Sequence, residues 1–112
     1  MQRLTITIDE RDGATVLALV GDAALEHADE LERAASRALG ARPARLIVDL
    51  TGVSFIGSLG VGIIIAVCVQ TQKQRGRAVV ACPPGNAHEV LARCRLDAVA
   101  PIVASVDDAI AA

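Results

Sequence analysis

The chain has 112 residues, of which 53% are hydrophobic and 21% charged, and a net charge of −2. These values predict one compact, soluble domain over residues 1–112 and exclude a disordered chain. With one aromatic residue, Phe55, and a negative balance, the chain offers neither a stacking platform for bases nor a pull on phosphate backbones, so no nucleic acid partner is expected.

Leu4, Ile6 and Ile8 alternate with Thr5, Thr7 and Asp9, the period of a half-buried strand. Asp12-Gly13 marks a turn, and residues 15–20 form a second apolar strand, so a hairpin opens the domain. From Leu25 the period becomes helical: Leu25, Ala28, Leu31, Ala35, Ala38 and Leu39 share one face. Gly40 is expected to supply a left-handed cap, and Pro43 prevents continuation.

The β-branched run 45–50 reads as a buried strand and residues 51–58 as a loop anchored by Phe55 and Ile56. A helix follows from about Leu59 to Gln74, ended by Gly76. Residues 78–82 form another strand. Asn86 with Glu89 resembles a capping box for a helix through Arg95. Ile102 and Val103 make a last short strand, and Ser105 with Asp108 caps a final helix. The order β-β-α-β-α-β-α-β-α predicts an α/β fold, a mixed, mostly parallel sheet with packed helices and the 46–50 strand at its centre.

Little in the chain reads as catalytic or metal-binding chemistry. Cys68, Cys82 and Cys94 are too far apart for paired zinc ligands and lie in apolar stretches, as reduced core cysteines of a cytoplasmic protein do. His27, among acidic residues, and His88, in a helix's first turn, read as surface residues; no metal or cofactor is expected. Met1 runs directly into the strand pattern without a leader segment, and the apolar heart of the longest uncharged run, 63–69, is far shorter than the ~20 residues of a membrane span. The glycines of Gly57-Ser58-Leu59-Gly60-Val61-Gly62 lack the spacing and the lysine of a phosphate loop.

That same segment is nonetheless the informative one. Ser58 suits an N-cap, and the helix mouth at Gly57, Ser58, Leu59 and Gly60 reads as an exposed switch point for a phosphate or a partner's carboxylate. Ile63, Ile64 and Ile65 are consecutive and spread apolar surface around much of the helix. Either a second element covers that arc, or part of it faces a partner.

With these residues in view, the chain resembles the STAS family, and within it the bacterial anti-sigma factor antagonists. The likeness rests on Leu19-Val20-Gly21-Asp22, on the run from Leu46 to Ile56 (LIVDLTGVSFI), and on the segment from Ser105 to Ile110. It implies partner switching: docking on an anti-sigma factor, often a serine kinase, with no catalysis by the antagonist itself. The family's phosphoacceptor precedes a Gly in an Asp-Ser-Ser/Thr-Gly motif. Here Gly57 replaces the Asp, Ser58 matches the first Ser, Leu59 holds the acceptor position and Gly60 matches the Gly; Ala24 replaces a second acid after the Gly-acid turn. Leu59 cannot take a phosphate, and Ser58 is the nearest hydroxyl that could. Two other roles stay open: a STAS subunit of a membrane lipid-transport ATPase complex, and a weak nucleotide-binding protein.

Overall fold

The computed structural model describes residues 3–112, so expectations resting on Met1 lie outside the described residues. β1 (Thr5–Arg11) and β2 (Ala14–Ala23) form the opening antiparallel hairpin, in register from Thr5↔Val20 to Arg11↔Ala14. Its turn residues, Asp12 and Gly13, have φ of 50° and 79°, the handedness that matches strand twist. β3 (Arg45–Ile56), β4 (Arg77–Ala81) and β5 (Ile102–Val103) each run parallel to their predecessor, giving the sheet order β1-β2-β3-β4-β5. β3 is therefore central, as the sequence predicts. Four helices, α1 (Ala28–Gly40), α2 (Ser58–Lys73), α3 (Asn86–Arg93) and α4 (Val106–Ala111), complete the α/β domain in the expected order.

Right-handed crossovers between successive parallel strands bring α1, α2 and α3 to one face of the sheet. The larger core fills that face: Leu17, Leu19, Leu46, Val48, Leu50 and Val80 pack against Leu31, Ala35 and Ala38, Val61, Ile64 and Val67, and Leu91. On the other face Val16, Ile47, Val79 and Ala81 meet Ala109 of α4. This short helix is held by polar ties as well. The Ser105 hydroxyl accepts the Asp108 N–H at 3.1 Å, the expected cap, and the Arg45 guanidinium donates to the carbonyls of Ala109 and Ile110. Arg11 reaches Asp107 at 2.6 Å.

Several element ends differ from expectation. β3 continues to Ile56 through the stretch expected as a loop, because β2 offers it partners as far as Ala23↔Ile56, with two register shifts on the way. Leu25–His27 is a 3₁₀ turn, and Leu25, expected on the buried face, is 75% exposed. Gly40 stays helical; the left-handed residue after α1 is Arg42, with φ 48°. After α2 it is Arg75, with φ 68°, while Gly76 is needed for another reason: a Cβ there would collide with the carbonyl oxygen of Pro43. Asn86 is the first residue of α3 and makes no capping box; Gly85 is the N-cap, and the helix stops at Arg93 with Arg95 left-handed at φ 62°. A left-handed non-glycine costs ~1–2 kcal/mol, which packing readily outweighs.

All three cysteines are free thiols; Cys68 and Cys82 are buried. Burial pushes the Cys68 thiol from 9.0 up to about 12, and it raises Cys82 as well. His27 lies half-buried in the 3₁₀ turn instead of on a solvated helix face, its Nε2 3.9 Å from Glu26 Oε1. Among the described residues no group of three or more His, Cys, Asp or Glu could hold a metal ion, and no helix is long and apolar enough to cross a membrane.

Candidate functional site

The site is assembled where β2 and β3 end and α2 begins. Ile56 closes β3 and is buried, while the preceding Phe55 turns outward and is 51% exposed. Phe55 thus does not anchor the segment as expected; Ile56 does so alone. The Gly57 N–H donates to the Ala23 carbonyl at 3.1 Å, which fastens the β3–α2 junction to the end of β2. Gly57 is extended, with φ −87° and ψ 165°, and its carbonyl accepts the Val61 N–H at 3.1 Å.

Gly57 is therefore the N-cap in place of Ser58. Ser58 becomes the first helical residue, exposed, and its side chain makes no capping hydrogen bond. The change has a simple cause: once β3 extends to Ile56, one extended residue is enough to reach the helix, and the glycine supplies it. Gly60 is buried against Ala23 and Ile56; an added Cβ would sit 3.3 Å from Ile56 Cγ1 and 3.4 Å from the Ala23 carbonyl. Gly57 and Gly60 thus hold the mouth down, and Ser58 and Leu59 are offered to solvent between them.

Leu59 is 45% exposed. It heads a groove of about 390 Å³ between α1 and α2, lined by Ala35, Ser36 and Leu39 of α1 and by Gly62, Ile63 and Ala66 of α2. The first turn of α2 holds no acidic residue, so none of its own side chains offsets the positive end of the helix dipole. Ile63 and Ile64 do not form the exposed patch: they are 8% and 1% exposed, and Ile65 is half-buried on the same core. α1 covers the arc that the sheet leaves open. The apolar surface offered at this end is instead Leu25, Phe55 and Leu59, all beyond or at the carboxyl ends of β2 and β3. Leu25 was missed because helical periodicity counts it with the inward face; Ala24, extended and half-buried, sits just before the 3₁₀ turn that expels it.

The Gly-acid pair lies in the same strand end. Gly21 has φ 106°, at one of the register shifts between β2 and β3, and Asp22 is buried. A β-branched or bulky residue would resist that backbone, which is how the bulge selects glycine.

A mixed sheet of this order, with α2 opening at the end of its central strand, is a small α/β domain, and residues 5–109 match the STAS domain family. The chain belongs to that family. Its relatives include the anti-sigma-F factor antagonist RsfB of Mycobacterium tuberculosis, 33% identical over 76 residues, a match that takes in 68% of this chain and 59% of the relative's length. Among solved structures, an anti-sigma factor antagonist from Mycobacterium paratuberculosis superposes with a TM-score of 0.90 at 27% identity, covering 97% of this chain and 92% of that one. The unphosphorylated anti-sigma factor antagonist SpoIIAA shares the fold, with a TM-score of 0.72 at 17% identity over 96% of each chain.

Proposed function

We propose that the chain is an anti-sigma factor antagonist, a cytoplasmic regulator that works by docking on an anti-sigma factor or related serine kinase and not by catalysis. The observation that carries this reading is the exposure of Phe55 and Leu59 beside a helix mouth pinned to β2 through Gly57. Rigid backbone under exposed apolar side chains is what a docking surface needs, since little is lost to ordering when the partner arrives. The surface comprises Ser58 and Leu59, held in place by half-buried Gly57 and buried Gly60 and flanked by Leu25 and Phe55; Ile63, Ile64 and Ile65 act from beneath as support.

With Leu at the acceptor position, docking is not switched off there by a phosphate. Leu59→Asp tests the surface. An aspartate close to the α2 N-terminus is favoured in the free protein by ~0.3–1 kcal/mol, yet becomes a buried unpaired charge in the complex. Calorimetric titration with the host's anti-sigma factor should show at least tenfold weaker binding, with a circular-dichroism melt like that of wild type. Unchanged affinity in a normally melting variant would exclude this end of the molecule as the docking surface.

A further inference from the structure

Among the described residues, three of the four non-glycine residues with positive φ are arginines, and each stands two positions past the last residue of a helix: Arg42 after α1, Arg75 after α2 and Arg95 after α3. Glycine or asparagine is the usual occupant of that left-handed position. Gly40 and Gly76 stand close by without filling it. The chain accepts the same backbone strain three times, with the same cationic side chain.

The connections that carry two of these arginines are neighbours in space. The Arg77 N–H donates to the Ala44 carbonyl at 2.9 Å, and Gly76 lies directly against Pro43, so the α1–β3 and α2–β4 connections run side by side. Arg37 and Lys73, in the last turns of α1 and α2, and Arg77, at the start of β4, join Arg42 and Arg75 there. All five cations are exposed, and none of them has an ion-pair partner among the described residues. No acidic residue occurs between Glu32 and Asp49 or between Asp49 and Glu89. Complementing a helix dipole accounts for Arg37 and Lys73, which lie within the helices, but requires no cation at the strained positions beyond them. None of the exposed large apolar side chains (Val20, Leu25, Phe55, Leu59) belongs to these connections.

The basic surface is bounded. The hairpin end of β1 and β2 brings Glu10 and Asp12 to one side, since Thr15 pairs with Leu46 near the start of β3. On the other side, Gln72 of α2 donates to the Val99 carbonyl at 2.8 Å and so draws in the stretch after α3, which holds Asp97. We propose that this end of the sheet, remote from Leu59, is a second docking surface that takes a short carboxylate-rich segment of a protein partner. The guanidinium fork suits paired carboxylate oxygens. A duplex or a bilayer would carry its phosphates past the cations onto Glu10, Asp12 and Asp97, so a short acidic strip fits better.

The test titrates the whole chain into a fluorescein-labelled poly-glutamate peptide at about physiological ionic strength, where weak long-range attraction is screened. Labelled oligo-dT and phosphatidylserine vesicles are titrated in parallel. The double variant Arg42→Gly/Arg75→Gly removes two cations while giving each left-handed site a residue that adopts it freely, so its melting temperature should hold or rise. Saturable anisotropy with the peptide, amide NMR shifts at Arg37, Arg42, Lys73, Arg75 and Arg77, and at least tenfold weaker binding by the double variant are expected. Arg37→Glu, inside a helix that tolerates glutamate, should weaken binding likewise. Absence of saturable peptide binding, equal binding by the double variant, or tighter capture of oligo-dT or vesicles than of the peptide would overturn the proposal.

Discussion

At position 59 the proposed role turns on a single side chain. A hydroxyl there would stand exposed on the first turn of α2, near the N–H groups of the helix end, where a phosphate of charge about −1.5 to −2 would be stabilised. Leucine keeps the exposure and removes the chemistry. Ser58 is exposed one residue earlier, but as the first helical residue it presents its hydroxyl from a different direction. Incubated with labelled ATP and the serine kinase proposed as its partner, the wild-type chain should take up little phosphate, and Leu59→Ser clearly more. Near-stoichiometric labelling of wild type, lost in Ser58→Ala, would mean that the switch has moved by one residue instead of being lost.

At the scale of elements, two glycines in and after α2 make opposite demands. Gly62 is exposed in the second turn of α2 with nothing within 4 Å of an added Cβ, so Gly62→Ala should stabilise the chain by ~0.8–1 kcal/mol through helix propensity alone. Gly76 faces a backbone carbonyl that cannot swing aside, and Gly76→Ala should cost ~1–3 kcal/mol as the two connections are forced apart. Urea unfolding followed by circular dichroism checks both; a Gly76→Ala variant as stable as wild type would contradict the close approach at Pro43. The contrast also shows what could be read from the sequence. Periodicity identifies β1 and α1, where a repeating apolar pattern is enforced by burial; the central strand is legible as a β-branched run, and the hairpin turn and the last helices through Asp12-Gly13 and cap residues. Gly76 was legible as a stop but not as a contact, since its constraint comes from Pro43, remote in sequence. The exposure of Leu25, the length of β3 and the burial of Ile63 likewise depend on what lies opposite, and composition carries no such information. The helix mouth was found because a Gly-bracketed serine marks a chain reversal locally; its cap residue was misplaced because β3 ran longer than its own sequence shows.

The whole molecule is closed by an aliphatic core that holds a thiol, and this makes its stability depend on alkali. Cys68 is 0% exposed, inside the core between α2 and the sheet, and burial disfavours its thiolate, raising the pKa from 9.0 to about 12. In the unfolded chain the same thiol ionises near its ordinary value. Below pH 9 both states are protonated and the thiol makes stability no function of pH. Between about 9 and 12 the unfolded state has released the proton and the folded state has not, so stability falls as pH rises, by up to ~1.4 kcal/mol per unit. Cys82 shifts in the same direction and adds to the slope. Few other groups obscure it: the chain has no tyrosine, and Lys73, its single lysine, is exposed. Urea midpoints measured by circular dichroism from pH 8 to pH 11 should therefore hold at first and then decline. Cys68→Ala should start lower, because a cavity replaces the sulfur, and decline less steeply. Parallel curves for the two proteins above pH 9 would show that the buried thiol is not what alkali titrates.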